Sequence, residues 1–329
     1  MSLKVLEIIA PRSETDAIEA VTAAPEIVDW WRTPPLEDER FSTHIMVTPE
    51  HVQTTLDGLQ KILDRCAGAR IIIHSIETTL PQIEAKTPAE DQKPAHDASL
   101  SREELFEAVD RSGRITQTYL LLTALSAIVA AIGMIENSVA AVIGAMVIAP
   151  LLGPNLALAL GTTLGDIDLS RRAILANLAG LGLAIGLAFI ISFLVEPHTS
   201  AQLLERTEIS YGALILALAS GAAAVLSLST GAAAGLVGVM VAVALMPPAV
   251  ALGLFLGWGD TTHAAQTALL LLINVTAINL SAKLVLVLRG VSPRRWPEKS
   301  RAKQSSRWSF AFWGISFFIT IALIYLAKH

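Results

Sequence analysis

The alternation of polar and apolar positions changes character once along the chain, near residue 117. Before it, apolar residues recur among charges at strand or helix spacing. After it they gather into runs of 16 to 28 residues: Tyr119 to Ile135, Ser138 to Gly165, Arg172 to Val195, Ala213 to Leu228, Ala234 to Gly257, Ala264 to Leu288 and Phe310 to Ala327. These seven lengths suit helices crossing a hydrocarbon layer of about 30 Å. The pattern predicts a soluble head followed by a membrane body.

Within the head, residues 3 to 10 are β-prone, and Pro11 to Ser13 lead into a helix with Ser13 as its cap. Ile27 to Trp31 and Phe41 to Val47 read as strands around a turn at Pro34 and Pro35. Thr48 and Pro49 mark a helix start, with proline at the first helical position, and Val52, Leu56, Leu59, Ile62 and Leu63 continue it to about Arg65. Arg70 to Glu77 is a fourth strand, so residues 1 to 80 predict an α+β domain of the ferredoxin-like βαββαβ order. His44 and His74 fall on its strands and read as half-buried histidines, because no partner stands at metal-ligand spacing. Trp30 and Trp31 read as a core or dimer contact.

Residues 81 to 100 are rich in proline, alanine and charge, and predict a flexible linker. Residues 101 to 116 open with a capping box, Ser101 to Glu104, and place Leu105, Phe106 and Val109 on one side. That pattern predicts an amphipathic helix at the membrane interface. The body proper is 117 to 289, followed by a loop at 290 to 308 and a last span at 309 to 329.

Composition supports this division. The chain is 53% hydrophobic and 16% charged with mean hydropathy +0.57, outside the range of ordinary soluble domains. A single cysteine, Cys66, excludes an internal disulfide. No signal-peptide pattern opens the sequence. Between Arg289 and Arg307 stand seven basic residues and one acid, which the positive-inside rule places in the cytoplasm. With the second and fifth runs each crossing once, the head is cytoplasmic too, as in a prokaryotic inner-membrane protein. Were those runs re-entrant, Arg171 and Arg172 would lie outside.

A shift of 94 residues superimposes Gly144 to Asp166 on Gly238 to Asp260 without a gap, with ten of 23 positions identical. Met146 and Met240, Pro154 and Pro248, and the terminal Gly-Asp pairs coincide, and composition alone does not align such residues. Each unit is three spans long. An odd-numbered unit used twice enters the membrane from opposite sides, which predicts a 3+3 inverted repeat plus one helix.

Both middle runs carry prolines near their centres: Pro150, Gly153 and Pro154 in the first copy, Met246, Pro247 and Pro248 in the second. Proline removes an amide donor, so the carbonyls of Met146, Pro150, Val243 and Ala244 lose their helical partners. In hydrocarbon such groups must face protein, water or a solute. Paired interruptions in corresponding halves point to a transport site, and the competing reading is a pair of kinks in packed helices. Asn155 stands beside the first break, able to cap the second half-helix or reach a solute. Its counterpart is Ala249.

Asn274 and Asn279 in the sixth run either line a pathway or bond across helices. Lys283, six residues from Arg289, is expected to snorkel to the cytoplasmic surface, and Glu136 to be solvated. Gly182 with Gly186 and Gly231 with Gly235 have the small-xxx-small spacing of helix contacts, which suggests a homo-oligomer. No nucleic-acid partner, metal or other cofactor is expected. Gly257-Trp258-Gly259-Asp260 resembles the box of intramembrane aspartyl proteases with Asp166 as second acid, but the inverted topology puts the two acids a membrane apart. Other hydrolytic signatures are absent, so no enzyme is expected.

SREELFEAVD before the first run, then AAIGMIENSVAAVIGAMVIAPLLGPNLALALGTTLGD, and later GVMVAVALMPPAVALGL with NVTAINLSA, closely resemble the bacterial and archaeal membrane family called domain of unknown function 389. The family name implies no activity. The residues themselves predict a secondary transporter or channel for an ion or small solute, embedded in membrane lipid. The alternative is a membrane-anchored sensor or oligomeric scaffold with a ligand-binding head. A polar cavity reaching the breaks separates the first from the second.

Overall fold

A computed structural model of the chain describes residues 3–35, 40–63, 66, 68–76, 102–197, 199–230 and 234–291. The expected linker at 81 to 100, most of the basic loop and the span at Phe310 to Ala327 lie outside them. The chain forms two compact units, one built on the residues up to Glu104 and one on those from Leu105 onward.

The first unit runs β1 (Lys4–Pro11), α1 (Thr15–Thr22), β2 (Ile27–Arg32), β3 (Arg40–Val47), α2 (Val52–Leu63) and β4 (Arg70–Ser75). Its four strands form one antiparallel sheet in the order β2-β3-β1-β4. Alternation along β1 and β3 turns Leu6, Ile8, Ala10, Ile45 and Val47 to one face, where Ile18 of α1 and Val52, Leu56 and Leu59 of α2 cover them. Two caps differ from expectation. Ser13 bonds Glu14 and α1 starts two residues later without a side-chain cap. Thr48 bonds the ring of His51 at 2.9 Å, so the chain spends a turn at 49 to 51 before α2 begins.

The second unit begins within α3 (Arg102–Ser112) and continues through α4 (Gln117–Ile135), α5 (Val139–Ile148), α6 (Leu152–Leu164), α7 (Ile167–Ser192), the short α8 (Ala201–Leu204), α9 (Tyr211–Thr230), α10 (Ala234–Gly257) and α11 (Thr261–Leu288). Five of these, α4, α7, α9, α10 and α11, are long and apolar enough to cross a membrane, and α5 with α6 forms a sixth such length bent by 51°. The apolar side of α3, with Leu105 and Val109 buried, packs into this unit's core.

The 94-residue register holds element by element. α9 starts 94 residues after α4, and α11 starts 94 after α7. The caps coincide too: Thr116 accepts from Tyr119 N–H and Ser210 from Ala213 N–H. Asp166 likewise accepts from Leu169 N–H and Asp260 from His263 N–H. Gly165 and Gly259 both take the left-handed φ that ends the preceding helix, at 73° and 74°. The two acids of the protease-like pattern are therefore matched helix caps.

Contacts between helix ends fix which ends lie together. Asp110 of α3 meets Arg172, near the start of α7, at 2.9 Å, and Tyr119 at the start of α4 donates to the Ala176 carbonyl of α7 at 2.9 Å. At the other end, Ser200 before α8 donates to the Met134 carbonyl at 2.6 Å, and Gln202 N–H to Asn137 Oδ1 in the turn after α4. Trp258 at the end of α10 donates to the carbonyls of Ser192 and Val195 after α7. We call these the α3 end and the α8 end.

Candidate functional site

The first break is an interruption of the helix. α5 stops at Ile148, Ala149 is extended, and α6 resumes at Leu152 after half-buried Pro150. The second is not. α10 passes through Met246, Pro247 and Pro248 as one helix, which corrects the expected discontinuity there. In the first copy Gly153 follows the break, in the first turn of α6. Its register partner is Pro247, whose fixed φ is compatible with helix, and packed neighbours keep the turn wound. The chemical consequence of the prolines survives, since Val243 and Ala244 have no amide four residues on.

Asn274 of α11 answers that loss. Its Nδ2 donates to the Ala244 carbonyl at 2.7 Å, which leaves its Oδ1 without a hydrogen-bond partner among the described residues although the residue is only 4% exposed. Beside it lies a cavity of about 270 Å³ whose walls include Glu205, Arg206, Glu208, Val243, Pro248 and Asn274. The first three belong to the α8–α9 connection, so the cavity is at the α8 end. Burial holds the Arg206 guanidinium below its ordinary pKa against the raising effect of Glu205, 3.5 Å away, and its Nε has no acceptor.

Deeper in the body, three asparagines join α7, α6 and α11. Asn155 Nδ2 donates to Asn177 Oδ1 and to the Leu151 carbonyl, and Asn279 Nδ2 donates to Asn155 Oδ1, each at 2.8 to 3.0 Å. Asn279 Oδ1 accepts nothing. Asn155 is thus the centre of a cross-helix chain and not a cap, and Leu151 holds the cap position. Asn177 escaped the sequence reading because it stands six residues beyond Arg171, where a polar side chain passes for an interfacial one.

The same register locates the counterpart of the cavity, at the α3 end, and there it is filled. Tyr119 corresponds to Ala213, Gly180 to Asn274 and Ala176 to Leu270, another cavity wall residue. The Tyr119 hydroxyl lies against Gly180 so closely that a Cβ built there would stand 2.0 Å from it. Gly153 is pressed by Ser112 at the end of α3, whose carbonyl would lie 2.1 Å from its Cβ. Asp110, only 7% exposed, pairs with Arg114 and Arg172 and ties α3 down. From sequence Tyr119 is only the first residue of an apolar run.

Lys283 is also corrected. It is fully buried and donates to the Thr162 carbonyl in the last turn of α6 at 3.3 Å. Carbonyls there lack helical donors and carry the negative end of the helix dipole, so an ammonium is held inside the protein and does not reach for water. Glu136 is exposed, and among the described residues no atom beyond the helix's own backbone lies within 4 Å of a Cβ built at Gly182 or Gly186. The surroundings of Gly231 and Gly235 lie outside the described residues.

In the first unit, the sheet face away from the helices carries a polar network. Ser42 donates to Glu7 Oε1 at 2.9 Å, His74 Nε2 meets Glu7 Oε2 at 3.0 Å, and Trp31 stacks on His44 at 5.0 Å between centroids. The hydrogen bonds from His74 and then Ser42 hold the Glu7 carboxyl below the usual range. Among the described residues no group of three His, Cys, Asp or Glu is placed to hold a metal.

Comparison with known proteins gives a family. No solved structure matches. A family model described as "Domain of unknown function (DUF389)" matches residues 146–280, which hold the first break, the three asparagines and the cavity floor. A protein of Methanocaldococcus jannaschii named "Uncharacterized protein MJ0678" is 32% identical over 289 residues, covering 86% of this chain and 88% of its own length. The likeness runs through nearly all of both chains, and this chain belongs to the DUF389 family.

Proposed function

We propose that the protein is a secondary transporter of a small solute, working by alternating access between two inverted three-helix copies in a prokaryotic inner membrane. One observation carries the reading: at register-matched places the α8 end has an open, partly polar cavity and the α3 end has a plug. Two related halves, one open and one sealed, are what a pseudo-symmetric carrier presents when it is open on one side.

The helix ends support the inversion. α4 runs from the α3 end to the α8 end, α5 and α6 return, and α7 crosses again. In the second copy α10 finishes beside the end of α7, and α11 leads back to Lys283 beneath α6. A bend of 51° leaves α5 and α6 advancing in one direction, which favours one crossing over a re-entrant hairpin. We read the sheet order of the head as ferredoxin-like. With the basic loop after α11 inside, the α3 end and the head are cytoplasmic and the cavity faces outward. The open space at Gly182 and Gly186 suits a second copy of the chain. With both aspartates serving as caps, we assign no enzymatic role.

A dry, packed body would favour the scaffold reading, whereas this cavity reaches the proline-freed carbonyls. The test is cysteine accessibility from each side of proteoliposomes, in a Cys66→Ser background, with cysteines at Leu270 and at Ala176. Alternation, in which conditions that protect one expose the other, is the expected result. Leu270 reactive and Ala176 unreactive under every condition would sink the carrier reading.

A further inference from the structure

We infer that the cavity at the α8 end is a binding site for a small zwitterion of the α-amino-acid class, its ammonium toward Asn274 and its carboxylate toward Arg206. The inference rests on the transport reading for its purpose but on separate observations for its chemistry.

The floor offers acceptors only. Pro248 deprives the Ala244 carbonyl of its amide, and Asn274 turns its NH₂ to that carbonyl at 2.7 Å. The amide orientation is thereby fixed by the network, and Oδ1 is the atom left over. A second acceptor stands nearby, since Pro247 leaves the Val243 carbonyl without its helical donor, and Val243 also lines the cavity. Two acceptors freed in one place call for a group rich in N–H.

The wall offers a donor, Arg206, between two carboxylates, Glu205 and Glu208. Arg206 is half-buried, its Nε is buried with no acceptor among the described residues, and its contact with Glu205 is a long one at 3.5 Å from a terminal nitrogen. An unused guanidinium N–H donates to a carboxylate oxygen. A bare cation would satisfy the floor and the carboxylates of Glu205 and Glu208, but would leave the Arg206 Nε without an acceptor. An inorganic anion would satisfy Arg206 and leave the floor orphaned. A molecule bearing both charges completes both sets, because a buried polar group left unpaired is costly in either case. Size agrees: 270 Å³ equals about nine waters at liquid density, small beside the pockets of drug-sized ligands.

The experiment is thermal unfolding and equilibrium binding of the full-length protein in nanodiscs. The probes are glycine, alanine and leucine, the corresponding alkylamines and alkylcarboxylates, and sodium, potassium and phosphate. At least one amino acid is expected to bind and raise the melting temperature, with its amine and its carboxylate each about tenfold weaker or worse. Arg206→Gln should weaken the amino acid about tenfold while leaving the amine unchanged, and Asn274→Leu should weaken both. Binding of amines or alkali ions equal to that of amino acids would overturn the zwitterion in favour of a cation site. Binding of phosphate or carboxylates alone would overturn it in favour of an anion site. No binding by any probe, with the two variants as stable as wild type, would overturn the site altogether. The accessibility test at Ala176 and Leu270 is independent of these results, so failure of the ligand class and failure of the carrier reading are told apart.

Discussion

The two copies of the repeat start from one plan and end in different states. Thr116 and Ser210 cap the first helices, Asp166 and Asp260 cap the third, and the middle helices end at glycines of the same left-handed conformation. Between these shared points the side chains diverge in size and polarity. The α3 end has Tyr119 above Gly180 where the α8 end has Ala213 above Asn274. A large residue over a small one makes a plug, and a small residue over a polar one makes a vestibule. The backbone is common to both copies, and the side chains decide which end is open.

The largest expected effect comes from forcing the plug. Adding a methyl group at Gly153 sets a Cβ 2.1 Å from the Ser112 carbonyl, a backbone atom that cannot swing aside. Overpacking of this kind costs about 1–3 kcal/mol, or roughly a tenfold shift for each 1.4 kcal/mol, provided the displaced state exists. Gly153→Ala should therefore raise labelling of Ala176→Cys by about tenfold or more, without raising that of Leu270→Cys. Equal labelling of the two positions before the glycine is changed would mean that the ends do not differ as described.

A smaller effect isolates the tyrosine hydroxyl. Tyr119→Phe keeps the ring and loses the hydrogen bond to the Ala176 carbonyl, worth about 1 kcal/mol, so labelling of Ala176→Cys should rise about fivefold. If Tyr119→Phe leaves accessibility where it was, the seal lies with α3 and its Asp110 pairs, and Asp110→Asn becomes the variant that opens it.

How much of this could be read beforehand follows from what each feature depends on. The strands, the long helices and the repeat rest on local patterning and on identities at fixed spacing, and they stand close to where the pattern puts them. The continuity of α10 could not be read, because proline constrains its own φ while its neighbours decide whether the turn stays wound. Lys283 misled for a related reason: the distance to Arg289 was right, but no sequence spacing reveals that the end of α6 lies over it. Asn177 and Tyr119 matter through partners 22 and 57 residues away, at Asn155 and Ala176. Such pairings are visible only once the helices have been packed.

The smallest effect compares the two caps. Asp166 and Asp260 do the same work for α7 and α11, but Asp260 also meets the ring of His263 at 2.5 Å. Replacing an N-cap aspartate by alanine costs about 1 kcal/mol, and the added hydrogen bond with the ring, about one-third exposed, contributes a few tenths more. Asp260→Ala should thus lower the melting temperature slightly more than Asp166→Ala at pH 7. The side-chain bond with His263, followed by its N–H, holds the Asp260 carboxyl below its ordinary pKa. A depressed carboxylate stabilises the fold above its unfolded pKa, about 3.9, and loses that contribution as pH falls through its folded value. The gap between wild type and Asp260→Ala should therefore hold near pH 7 and narrow below about pH 4. A gap that stays constant down to pH 3 would show that Asp260 acts through its cap geometry alone, making the third helices of the two copies equivalent and leaving the whole difference between the ends to Tyr119, Gly180, Ala213 and Asn274.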